Sequence, residues 1–253
     1  VGVTTDQDEQ TGAPSPGSDS PSRARPRGRG PVATAVSVFG ELLITAGLVL
    51  ALFVVYSLWW TNVIADRKAH HEADKVRDHW AAEKDPGPGA LDTKGGIGFL
   101  HVPSMKNGDV LVEKGTSTDV LNDGVAGYYV DPVKATLPMS GKTGNFSLAA
   151  HRDGHGAKFH NIDKVREGDP VVFETKDDWY VYKVFAILPQ TSKYNVKVLT
   201  QVPKQAGVTK PGHYITLTTC TPVYTSEYRY VVWGELERVQ KVDSERTPPK
   251  ELG

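Results

Sequence analysis

The chain has one cysteine, Cys220, in 253 residues. An internal disulfide is therefore excluded, and a lone thiol is left to be explained. There is no basic excess either: the formal net charge is −1, which argues against nucleic acid as the main partner, because binding phosphates needs a surplus of Lys and Arg. No internal repeat is visible. Residues 1–31, including "TGAPSPGSDSPSRARPRGRGP", hold almost nothing that could form a core. Such a Pro-, Gly-, Ser- and Arg-rich segment cannot bury enough apolar surface to offset its ordering entropy, and is expected to be a disordered tail.

Long hydrophobic runs are also missing, with one exception. Residues 42–60, "LLITAGLVLALFVVYSLWW", carry no charge and no proline. At about 1.5 Å per residue they span a hydrocarbon core, and they exceed the h-region of a signal peptide. The closing Tyr and Trp residues suit a headgroup layer. Residues 32–61 are expected to form one transmembrane helix. Arg23, Arg25, Arg27 and Arg29 precede it, whereas Arg67 and Lys68 stand among acids after it. The positive-inside rule then places the N-terminus in the cytoplasm and the rest outside, a single-pass type II arrangement.

Residues 62–89 read as a juxtamembrane helix or linker ended by "DPGPG". His70, His71 and His79 in it read as solvated surface residues. From about residue 90 to 242 the character changes. Short β-rich runs such as "IGFLHVP", "DVLVEKG", "NFSLAAH", "DPVVFET", "WYVYKVFAILP", "HYITLTTC" and "YRYVVWGEL" alternate with Gly, Asn, Asp and Pro. That pattern indicates an all-β barrel or sandwich. Helical patches are few: "STDVLNDGV" and "AKFHNIDKV". Residues 243–253 read as a disordered C-terminal tail. Asp177 and Asp178 read as ordinary turn residues, and no metal site or cofactor is expected.

Cys220 lies beyond the expected span, outside the cell, where thiols usually pair. Without a partner in the chain it is either an intermolecular link or a reactive group. Strand alternation in "YITLTTC" puts Ile215 and Leu217 on one face and Thr216, Thr218 and Cys220 on the other. In "YRYVVWGEL", Arg229, Val231 and Trp233 share a face. If the two strands pair antiparallel, Arg229 approaches the sulfur. A guanidinium there stabilises a thiolate, or the oxyanion formed when it attacks a carbonyl. A cysteine nucleophile also wants an imidazole. His101, His151, His155, His160 and His213 lie in the β region, and His151, closing a strand-like run, has the best placement. Taken singly, an inert core cysteine and a surface arginine remain open readings.

Four segments in colinear order resemble the sortases, the cysteine transpeptidases of Gram-positive surfaces. "TLTTC" is similar to their TLxTC signature. "GNFSLAAHRDGHGAKFHNIDKVREGDPV" resembles their histidine segment, "IGFLHVPSM" their first strand, and "CTPVYTSEYRYVVWGEL" their cysteine-to-arginine hairpin. The resemblance implies a closed all-β barrel of about eight strands with a few short helices, and a catalytic trio of His151, Cys220 and Arg229. The short Cys–Arg spacing and the Tyr-Tyr pair of "GVAGYYVDP" are most like class E sortases of actinobacteria. Tyr128 aligns with the tyrosine that class E carries where many sortases have histidine, and that class links it to a preference for LAxTG over LPxTG signals. Tyr128, Tyr129 and Thr218 are the expected substrate-binding residues, and Thr219 is expected to face the core. The sequence departs from the family in "AAHR", where "AGHR" is usual.

The implied partners are surface proteins bearing sorting signals, a lipid-linked peptidoglycan precursor and the membrane. Two alternatives stand beside an anchoring sortase: a pilin-polymerising sortase, and a wall-binding β-barrel without catalysis. An L,D-transpeptidase would place arginine two residues after the cysteine, where this chain has Pro222.

Overall fold

The computed structural model describes residues 30–82 and 96–253. The expected N-terminal tail and the "DPGPG" breaker fall outside the described residues. The chain divides after Val49 into two compact units.

The first unit holds most of helix α1 (Pro31–Val55), which begins on a proline, suited to a first turn because its missing N–H has no partner there. No residue of α1 is buried against protein, and its apolar window has a mean hydropathy of 2.5. It is long and apolar enough to cross a membrane, as a membrane anchor requires.

The second unit takes in the end of α1, a π-helical turn (Tyr56–Trp60) and helix α2 (Thr61–Ala82). The strands are β1 (Gly98–His101), β2 (Asp109–Lys114), β3 (Ala126–Tyr128), β4 (Gly144–Ala149), β5 (Pro170–Glu174), β6 (Asp178–Ser192), β7 (His213–Thr221) and β8 (Tyr228–Lys241). One short helix, α3 (Thr118–Leu121), precedes β3. The strands close in the order β1-β2-β3-β4-β7-β8-β6-β5, so no sheet edge is left to recruit another chain. The pairs β2–β3 and β4–β7 are parallel; the rest are antiparallel.

Alternation decides what fills the barrel. Tyr128, Phe146, Leu148, Phe173, Ile215, Leu217 and Val232 belong to one interior cluster. On the opposite face of β8, Val231 and Trp233 pack under Val198 and Leu199 of the long β6–β7 connection, and the Trp233 indole N–H donates to the Val198 carbonyl at 3.0 Å. Asn145 fastens the same connection to β4: its Nδ2 donates to the Thr200 carbonyl, and its Oδ1 accepts from Thr216.

Two expectations change. Helix α2 packs on the barrel through Ala65, Ala69, Ala73 and Val76. This is one face at helical spacing, and the last three sit in a cluster with Phe99, Leu111 and Val125. The C-terminal segment, expected to be disordered, is held against the barrel. Arg246 donates to Glu174 Oε1 at 2.7 and 3.2 Å. Arg238 and Glu251 form a two-bond pair, and Leu252 packs against the Val172–Trp179–Val181 cluster. Composition missed this because the tail contributes a few anchoring groups rather than a hydrophobic run.

Candidate active site

Strand β7 is the middle of three. On one side β8 runs antiparallel, with Cys220 directly opposite Arg229, which sets their Cα atoms about 5 Å apart. On the other side β4 runs parallel, with Ala149 opposite Thr218. Carried on two residues, that register brings His151 level with Cys220. Two bonds hold it there: Ala150 N–H donates to the Thr218 carbonyl at 3.4 Å, and Thr219 Oγ1 to the Ala150 carbonyl at 2.7 Å. Parity puts His151, Cys220 and Arg229 on one face. All three are half-buried.

The cysteine backbone is locked by Arg152, a residue the sequence reading passed over although it stands in "AAHR". Arg152 is only 6% exposed. Its Nη1 donates to Thr221 Oγ1 at 2.8 Å and reaches the Cys220 carbonyl at 3.5 Å, and its Nη2 donates to Asp163 at 3.2 Å. Asp153 links the histidine loop to the β7–β8 turn by accepting the Tyr224 N–H at 2.7 Å. The Arg229 guanidinium donates through Nη1 to the carbonyls of Ser226 and Tyr228 at 3.2 and 3.0 Å. A guanidinium has five N–H donors, so those on Nε and Nη2 remain for a ligand.

His151 Nε2 lies 2.9 Å from Asn122 Oδ1. An amide oxygen only accepts, so Nε2 carries the proton and Nδ1 is free to exchange another. The His155 ring is 5.5 Å away, centroid to centroid. Burial, and then His155, hold His151 below the usual histidine range, with Asp153 opposing. In the sequence Asn122 falls inside a helical patch, and His155 is one of five histidines of the β region. Their role shows once the turn after α3 is folded against the His151 loop.

The structure separates the two tyrosines. Tyr128 is 6% exposed and lines the interior with Leu148. Tyr129, one position on, faces the other way, and its phenol is 2.9 Å from Thr218 Oγ1. Thr218 spends its single proton on the Leu148 carbonyl at 3.0 Å, so Tyr129 must be the donor of the shared bond. Burial raises the Tyr129 pKa, the Thr218 bond and Arg229 lower it, and Cys220 raises it again; the net direction is up. Thr218 itself is only 2% exposed. It supports Tyr129 from beneath. Thr219 is buried, as alternation implied.

The sortase domain model matches residues 100–237. The chain is 74% identical to Sortase SrtE2 of Streptomyces coelicolor over 225 residues, covering 87% of this chain and 89% of that protein. This chain belongs to the sortase family. Among solved structures it is similar to Sortase E1 from Streptomyces coelicolor with tripeptide in the active site, at 44% identity and a TM-score of 0.58, covering 62% of this chain and 96% of that one. It is also similar to sortase E from Streptomyces avermitilis, at 32% identity and a TM-score of 0.54, covering 62% and 97%. This sortase is thus a cysteine transpeptidase of class E type, on a closed barrel.

Proposed function

We propose that this sortase cleaves the Thr–Gly bond of a C-terminal sorting signal of LAxTG or LPxTG type and passes the new C-terminus to an amine of a peptidoglycan precursor. The observation that carries the reading is the placement of the lone thiol on a middle strand, directly opposite Arg229 on one flank, with His151 two residues beyond the partner of Thr218 on the other.

In the first half-reaction the Cys220 thiolate attacks the threonine carbonyl carbon. Free N–H groups of Arg229 receive the oxyanion. His151, as imidazolium, gives a proton to the glycine nitrogen, the C–N bond breaks, and a thioester remains on Cys220. In the second, the acceptor amine loses a proton to His151 and attacks the thioester. The C–S bond breaks and the thiolate returns. Burial and His155 pull His151 down, which disfavours the imidazolium that the first half-reaction uses. Tyr129 is the substrate-facing tyrosine in this reading, held by Thr218.

Arg23, Arg25, Arg27 and Arg29 ahead of α1 support a type II orientation with the barrel outside. An anchored enzyme meets membrane-bound substrates and lipid-linked acceptors at raised effective concentration.

The test uses the full chain in detergent micelles, with paired LAxTG and LPxTG peptides and either triglycine or a lysine-bearing peptide as acceptor. Mass spectrometry should show ligation to triglycine and a thioester adduct on Cys220, both lost in Cys220→Ala. Ligation that survives in Cys220→Ala, or goes only to the lysine peptide, would sink the reading.

A further inference from the structure

Two loops carry the groups that face the His151 ring. The turn after α3 supplies Asn122. The loop after His151 supplies its charged and titratable neighbours, Asp153 and His155. The second loop is conformationally costly. Gly154, His155, Gly156 and Ala157 have φ of +62°, +46°, +80° and +40° in succession. Glycine adopts such angles freely, but His155 and Ala157 carry a Cβ into a region that L-residues disfavour, and such backbone persists only where its surroundings over-determine it.

The first two turns of α2 supply that support, and they hold both loops at once. Asn62 Oδ1 accepts the Gly156 N–H at 2.9 Å. Asp66 Oδ1 meets Lys158 Nζ at 2.8 Å, and the Lys158 side chain is only 12% exposed. On the other loop, Lys68 Nζ meets Asp123 Oδ1 at 2.6 Å. Gly124, at φ +74°, lies so close that an added Cβ would come 3.0 Å from the Ala65 carbonyl oxygen. Asn62, Ala65 and Asp66 share one helix face, three and four residues apart. The later turns of α2 grip something else: Ala69, Ala73 and Val76 pack with Phe99, Leu111 and Val125, and Arg77 pairs with Asp109 and covers the Phe99 ring.

We infer that Asn62, Asp66 and Lys68 are positioning residues for His151, so that proton transfer at the active site depends on the docking of the helix that follows the membrane span. The helix acts by fixing two loops, one bearing the amide that orients the imidazole and the other bearing its charged neighbours. This rests on the reading of His151 as the proton carrier.

The test compares Asn62→Ala, Asp66→Ala and Arg77→Ala in the micelle-bound full chain. Displacing a reacting group by about an ångström costs up to about a hundredfold. The two clamp variants should therefore lower kcat about tenfold, leave KM within about twofold and move the His151-dependent limb of the pH–rate profile. Arg77→Ala loosens the far part of the same helix. It should keep kcat and the profile at a comparable loss of thermal stability. Asp66→Lys combined with Lys158→Asp should recover most of the rate lost in Asp66→Lys alone. Wild-type kcat and profile in Asn62→Ala and Asp66→Ala would overturn the inference. So would an equal loss in Arg77→Ala, which would show that α2 matters only through stability.

A second readout needs no peptide: the pH dependence of Cys220 alkylation by iodoacetamide. If the wild type ligates no peptide, the proposed substrate fails while the alkylation profiles still decide the clamp. A displaced profile in the two clamp variants supports it, and an unchanged one overturns it.

Discussion

Two histidines of this sortase are bonded through Nε2 in half-buried settings, and their partners differ in kind. His101 meets a carboxylate, Glu174 Oε2, at 2.9 Å. The other oxygen of that carboxylate takes two bonds from Arg246, whose guanidinium lies 4.8 Å over the Trp80 ring. Every strong group in the knot has an opposite. Burial alone would raise the Glu174 carboxyl, but His101 and Arg246 outweigh it and hold it below the usual range. His151 instead meets a neutral amide, and burial and His155 push its proton off. Charged partners fix both the geometry and the ionisation of Glu174. An amide orients the ring and leaves a proton free to move, which acid–base chemistry needs.

The largest effect should come from breaking the saturated site. Glu174→Gln removes the charge that His101 and Arg246 share. Arg246 is partly exposed and can turn to water, so the cost should be about 2 kcal/mol at neutral pH. The sign with pH follows from the depressed folded pKa. Glu174 contributes its full stabilisation above the unfolded value near 4.3, and loses it as pH falls through the lower folded value. The gap between wild type and Glu174→Gln in chemical denaturation should therefore close toward pH 3, with kcat per folded molecule unchanged. An equal gap at pH 7 and pH 3 would show that the charge is not what stabilises the knot.

The next test makes the two histidines alike. Asn122→Asp keeps the size of the side chain and places a carboxylate 2.9 Å from His151 Nε2. An opposite charge at that range favours the imidazolium and should raise the His151 pKa by about one unit, or about 1.4 kcal/mol. On the proposed role of His151, the matching limb of the pH–rate profile should move upward by the same amount. A profile that stays in place would mean that the group at position 122 does not set the ionisation of His151.

Most of the barrel could be read from the sequence because alternation is a local signal. Ile215 and Leu217 against Thr216, Thr218 and Cys220 gave the faces of β7, and Arg229 fell opposite Cys220 once antiparallel pairing was assumed. What lay beyond reach was contact between distant segments. The face of α2 is mostly alanine, which among charged neighbours gives no strong apolar stripe to mark a docked helix. Asp66 and Lys158 stand 92 positions apart, and neither has a local reason to be special. The C-terminal tail looked disordered because its anchors are single residues. Arg152 was hidden beside a more reactive neighbour.

The smallest expected effect separates two adjacent tyrosines. A gapped resemblance favoured Tyr128, while strand parity turns Tyr129 to the Cys220 face and Tyr128 to the core. Tyr129→Phe removes one donor to Thr218 and leaves the Thr218–Leu148 bond intact. The loss of one neutral hydrogen bond is about 1 kcal/mol, so KM for the sorting-signal peptide should rise about fivefold with kcat little changed. With its pKa raised, the Tyr129 phenol stays protonated through pH 9, so the KM difference should not vary between pH 7 and 9. Tyr128→Phe should leave both constants as they are. If Tyr128→Phe alters KM and Tyr129→Phe does not, the peptide is read through the barrel wall rather than by the tyrosine that faces the cysteine.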